Sequence, residues 1–178
     1  MLGKVAKLRQ MVVLMILFGI SIMTIPGEGG RLPVPASVQD ALNEVIRLSV
    51  ELNKQILGTN SEALDEAVVH LYYALGSAIL EAHEVMPEHE RAHIGIYLLA
   101  AQQRLIAHQA SQDSSHNRME QLREASQQIV NLMSSYTIGQ GYRALYCPED
   151  RSHWIQPLRE ATRHPFRRHL RSCGVRSI

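Results

Sequence analysis

Aromatic side chains make up only 5% of this 178-residue chain, with one Trp, six Tyr and two Phe. That scarcity removes the stacking platforms on which single-stranded nucleic acid is usually held. A charge bias is missing too: 18 Lys plus Arg stand against 17 Asp plus Glu, for a net +1. No overall field therefore favours nucleic acid. Cysteine appears twice, at 147 and 173, and never as the C-x-x-C-H of haem attachment. The charge-free stretch at residues 11–25 has fifteen residues, fewer than the roughly 18–20 that span a bilayer comfortably.

That stretch is nevertheless informative. Lys4, Lys7 and Arg9 precede it, and Pro26, Gly27 and Gly29 break it. A basic start, an apolar middle and a small-residue end are the parts of an export signal. Residues 1–29 are therefore expected to be a signal peptide, or a retained membrane anchor if uncleaved. No Cys follows the run, so lipoprotein processing has no support. Export to the periplasm or medium would place Cys147 and Cys173 in an oxidising compartment, where a single disulfide is the expected pairing.

Charge is segregated along the chain. Residues 1–36 carry four basic side chains against Glu28, a net +3. Residues 37–140 hold six basic and thirteen acidic side chains, a net −7. Residues 141–178 hold eight Arg against Glu149, Asp150 and Glu160, a net +5. The densest basic run contains Arg163, Arg167, Arg168 and Arg171. Such a tail is expected to dock on the acidic body, near Glu81, Glu84, Glu88 and Glu90, or to meet an acidic partner. Another envelope protein or an anionic lipid surface is the expected partner class.

Residues 30–36, with Pro33 and Pro35, read as a linker. Helical periodicity then begins. Ser37 and Asp40 form a capping-box pattern, with Val38, Leu42, Val45, Leu52 and Ile56 on one stripe and Gly58 beyond its end. A second stripe runs through Leu64, Val68, Leu71, Leu75, Ile79 and Ala82 from a start at Asn60 or Ser61, and stops at Pro87. A third, from 87 or 88 to about 112, carries Ile94, Leu98, Ala101 and Leu105. A fourth, capped at Ser114 or Ser115, carries Leu122, Ala125, Ile129, Leu132, Met133 and Tyr136. Four long helices with short turns predict an all-α, up-down-up-down bundle over 37–136. No strand is apparent. Residues 137–178 are expected to be a disulfide-stapled appendix containing a short helix after Asp150, with Trp154, Ile155, Leu158 and Ala161 inward.

One string carries chemistry. His89-Glu90-Arg91-Ala92-His93 resembles the H-E-x-x-H motif of zinc metallopeptidases, in which two His at i and i+4 bind Zn and the Glu polarises the bound water. The resemblance implies a zinc-dependent hydrolase with Glu90 as general base. It covers five residues, and a third ligand at the metzincin spacing falls on Leu99, which cannot ligate. Ferritin-like and hemerythrin-like carboxylate sites lack their second ligand sets. A milder reading gathers His83, His89 and His93 at the turn around Pro87, a set suited to Zn or another transition metal without catalysis. The sequence thus points to an exported helical binding or adaptor protein of the cell envelope, non-catalytic, with the hydrolase as the alternative.

Overall fold

The computed structural model describes residues 30–111, 115–170, 173 and 175–176, and residues 31–178 form one compact unit. The expected export segment lies outside the described residues. Four helices follow in order: α1 (Ala36–Leu57), α2 (Ser61–Val85), α3 (Glu88–Ala110) and α4 (Ser115–Ser135). Each packs on the next, and connections this short make successive helices antiparallel. Leu42, Leu71, Leu75, Ile94, Leu98, Leu105, Leu122, Ile129 and Leu132 form the fully buried centre. Among the described residues no helix is long and apolar enough to cross a membrane.

The helix ends follow local chemistry. Pro35, not Ser37, occupies the N-cap of α1, and no side chain caps it. Pro suits that place because its φ is already set and it has no N–H to satisfy. The capping-box expectation is therefore corrected by one turn geometry. Helix α2 starts at Ser61, within the expected range, and Asn60 caps it, its Oδ1 accepting from the N–H groups of Glu62 at 3.0 Å and Ala63 at 3.3 Å. Pro87 ends one helix and opens the next from the N-cap of α3.

The appendix is β, not helical. Strands β1 (Tyr142–Tyr146), β2 (His153–Pro157) and the two-residue β3 (Val175–Arg176) form an antiparallel sheet in the order β2-β1-β3, with one 3-10 turn at Arg168–Leu170. Ala144 pairs with Ile155 and Leu145 with Trp154. Alternation then sends the two pairs to opposite faces. Ala144 and Ile155 join the helical core, whereas Leu145, Trp154 and Cys147 form a second cluster with Phe166, Leu170 and Cys173. Trp154 and Ile155 are both buried, as expected, but because a strand lies between two layers. Leu158 and Ala161 are exposed, contrary to the helical expectation.

The bundle is also not closed in the expected way. β2 packs against both α1 and α4, which touch each other little. It occupies the seam that a four-helix bundle would close with side chains. This gives α1 a second buried face, where Ile46, Val50, Ser49 and Asn53 are buried although none lies on the stripe read from the sequence. Asn53 Nδ2 donates to the Ile155 carbonyl at 3.1 Å across this seam.

Two further features fix the hairpin. The linker joins the end of α4 by a parallel bridge, Leu32 N–H donating to Ser135 O at 2.8 Å and Thr137 N–H to Leu32 O at 2.9 Å. Gly139 then turns the chain with φ +71°, and a Cβ there would lie 2.9 Å from Ile46 Cδ1. A side chain is excluded by both conformation and space. The expected Cys147–Cys173 disulfide is present, with Cα atoms 5.4 Å apart, and ties the tail to the end of β1.

Candidate interaction surface

Helix α2 is apolar on two sides. Val68, Leu71, Leu75, Ala78 and Ala82 face the core, while Val69, Tyr73 and Leu80 are exposed on the opposite side, the last two at 67% each. The spacing 69, 73, 80 keeps the exposed three within one narrow stripe at 3.6 residues per turn. Helix α3 repeats the pattern. Ile94, Leu98, Ala101 and Leu105 are buried, whereas Ile96 at 64%, Leu99 and Ile106 are exposed.

Between these helices runs a groove of about 350 Å³, bounded by Ile79, His83, Arg91, Gly95, Ile96 and Leu99. Gly95 leaves its floor open, since a Cβ built there would meet nothing within 4 Å. At one end Arg91 Nη1 donates to the His83 carbonyl at 3.5 Å. Single exposed apolar residues are ordinary on a protein surface, but a stripe on each of two adjacent helices is a feature of binding faces.

The histidines expected to meet around Pro87 are separated in role. His93, itself exposed, lies against Tyr136, its Nδ1 2.5 Å from Tyr136 Oη and its ring edge-on to Tyr97. Burial, with Tyr97 and Glu90 nearby, raises the Tyr136 phenol above its ordinary pKa, so the hydroxyl stays protonated and can donate to the imidazole. His89 is outward, its side chain 82% exposed and 3.6 Å from Glu90. His83 is exposed beside the groove. Among the described residues, one group of three potential ligands has its atoms within 4.8 Å of one another, and it is Cys147, Asp150 and His164 rather than this turn.

That group has its chemistry already committed. Cys147 Sγ is in the disulfide and is no thiolate. His164 Nδ1 accepts from the Arg167 N–H at 2.9 Å, so the ring proton resides on Nε2, facing Asp150 Oδ1 at 3.2 Å and Ser152 Oγ at 2.9 Å. A protonated Nε2 offers no lone pair to a metal. The same tautomer settles the Ser-His-Asp composition of the cluster. Ser152 Oγ gives its proton to Asp150 Oδ1 at 2.7 Å, and His164 cannot take it, so the trio lacks the nucleophile–base relation of a catalytic triad. It is a polar knot behind the disulfide. Burial would raise the Asp150 pKa, but the Ser152 hydroxyl and N–H and the His164 ring hold it below the ordinary carboxylate range.

His108, nearly inaccessible, is a second pin. Its Nδ1–H donates to the Arg118 carbonyl at 2.8 Å, and Arg118 reaches Asp65 at 2.9 Å, joining the end of α3 and the start of α4 to the start of α2.

Among the described residues the basic tail does not reach the acidic turn. Arg167 Nε lies 3.8 Å from Asp150, Lys54 near the end of α1 pairs with Glu160 at 3.9 Å, and Arg123 Nη1 donates to the Asp150 carbonyl at 2.7 Å. These contacts put the tail at the end of the bundle opposite the α2–α3 turn. The reason is the hairpin: five residues of β1 carry the chain about 17 Å back along the seam. Arg163 is exposed, and the Arg168 side chain and Arg171 lie outside the described residues.

No known protein family matches the chain, and no curated protein or solved structure does so either.

Proposed function

We propose that this chain is an exported, non-catalytic binding or adaptor protein of the cell envelope that docks a partner on the outer face of the α2–α3 hairpin. One observation carries the reading: Val69, Tyr73 and Leu80 on α2 and Ile96, Leu99 and Ile106 on α3 are exposed opposite core faces that are themselves complete. Nothing in the folding of the bundle requires large apolar residues there, and covering one such side chain is worth about 1.5–3 kcal/mol. The disulfide and the basic-apolar start of the chain support the compartment.

The test is a photoreactive residue placed at Leu80 or Ile96 of the full chain in its native compartment, with Glu51 as a control position. A discrete adduct from the two outer positions, absent from the control and abolished by Leu99→Ser, is expected. Equal labelling at all three positions would overturn the reading.

A further inference from the structure

We infer that the outer face of α2 and α3 receives an amphipathic helix with an apolar middle and basic ends; the inference rests on the binding-face reading above. Its basis is the order of residues along the exposed stripe of α2. Glu62, Glu66, Val69, Tyr73, Leu80 and Glu84 are all exposed and succeed one another at intervals of three, four or seven. At 100° per residue they stay within an arc of about 60°. The stripe is therefore apolar in its middle and acidic at both ends. Glu88 adds a carboxylate at the rim of the α2–α3 groove.

These carboxylates are not used inside the fold. Among the described residues no Lys or Arg pairs with Glu62, Glu84 or Glu88, and Glu66 has only His70 at 3.9 Å. Arg91, the guanidinium at the groove, is turned to the His83 carbonyl. The charge left over on this face is thus negative, and it brackets apolar surface on both sides.

Charge selects among the possible occupants. A second copy of the chain, packed on the same face about a two-fold axis, brings the acidic ends of one stripe against those of the other. An anionic bilayer meets the same repulsion. A partner with Lys or Arg at each end and apolar residues between them satisfies both parts of the stripe. The shape selects a helix: two antiparallel helices leave a groove into which the side-chain ridge of a third fits. The open space above Gly95 admits a large side chain toward the turn end of the groove. The 22 residue steps from Glu62 to Glu84 span about 33 Å, so the complementary helix has about twenty residues.

The experiment uses the full chain and two synthetic twenty-residue helical peptides with the same apolar stripe. One has three Lys at each end and the other three Glu, and binding is followed by fluorescence anisotropy. The Lys-ended peptide is expected to bind at least tenfold more tightly than the Glu-ended one. Glu62→Lys with Glu84→Lys is expected to reverse that preference. Leu80→Ser with Ile96→Ser is expected to weaken the Lys-ended peptide at least tenfold, with the far-UV spectrum unchanged. Equal binding of both peptides, lost in the Leu80/Ile96 variant, would leave the apolar binding face standing and overturn the basic-ended partner. Binding of neither peptide would overturn the inference. A concentration-dependent dimer, or binding to phosphatidylglycerol vesicles, that Leu80→Ser abolishes would also overturn it, in favour of a second copy or of lipid.

Discussion

Asn53 in α1 and Ile155 in β2, 102 residues apart in sequence, are joined by a buried hydrogen bond of 3.1 Å from Nδ2 to the Ile155 carbonyl. That carbonyl belongs to the outer edge of the sheet, where no strand is available to satisfy it. The amide of Asn53 replaces the missing strand and fixes how β2 sits in the seam between α1 and α4.

Asn53→Leu should therefore destabilise the protein by about 1–3 kcal/mol, because a buried carbonyl loses its donor. Urea unfolding of the oxidised protein measures this. A midpoint equal to that of the unsubstituted chain would show that the seam does not depend on the bond.

The disulfide closes a loop of 26 residues in sequence separation. Removing it with paired Cys147→Ala and Cys173→Ala substitutions should cost about 3–4 kcal/mol on the chain-entropy estimate. Thiol labelling of the denatured, unreduced protein should find no free Cys. Two labelled thiols in material taken from its native compartment would refute both the bond and the argument for an oxidising location.

Acid should loosen the fold in a defined order. His108, His153 and His164 all have pKa values below the ordinary imidazole range, first because burial penalises the cation. The unfolded chain therefore binds more protons than the folded one as pH drops through about 6.5, and stability falls in that window. Each histidine contributes a slope of at most about 1.4 kcal/mol per pH unit. Asp150 has a lowered pKa, so its contribution is full above about pH 4 and is lost only in stronger acid. Chemical unfolding at pH 7.5, 6 and 5 should show a declining free energy. His164→Asn should flatten that decline while lowering stability at pH 7.5; an unchanged slope would mean that His164 is not the titrating group.

Gly139→Ala should cost roughly 1–3 kcal/mol, since its φ is +71° and the new methyl would press on Ile46 and Met133. Gly95→Ala supplies the contrast, because its Cβ meets nothing. Replacing that half-buried helical Gly should raise the melting temperature slightly. Thermal melts of the two variants that moved together would contradict the stated packing.

Much of the helical half was legible before any coordinates. The stripes of α1 to α4, the stop at Pro87 and the start of α2 at Asn60 or Ser61 are local signals, and each depends on residues within a few positions of one another. The appendix was not legible in this way. Trp154 and Ile155 are adjacent and both buried, which a helix reading accommodates as well as a strand, and the pairing partners Leu145 and Ala144 carry no mark of their role. His164 and Asp150 could be seen in the sequence only as members of a basic tail, because nothing local reports that they meet Ser152. The two apolar sides of α2 offered one visible signal, Tyr73 and Leu80 lying off the core stripe.

Sequence by itself determined the span of the four long helices, the segregation of charge and the one possible disulfide, because periodicity, breakers and a count of two cysteines need no knowledge of the chain's path. Tertiary structure decided where β2 lies, that His93 belongs to Tyr136 rather than to His89, and that the described residues of the arginine tail pack away from the acidic turn. Those relations join residues 17 to 106 positions apart, or depend on which way a ring is turned. They are set by the hairpin's return along the seam and by the need to satisfy every buried polar group once the core has closed.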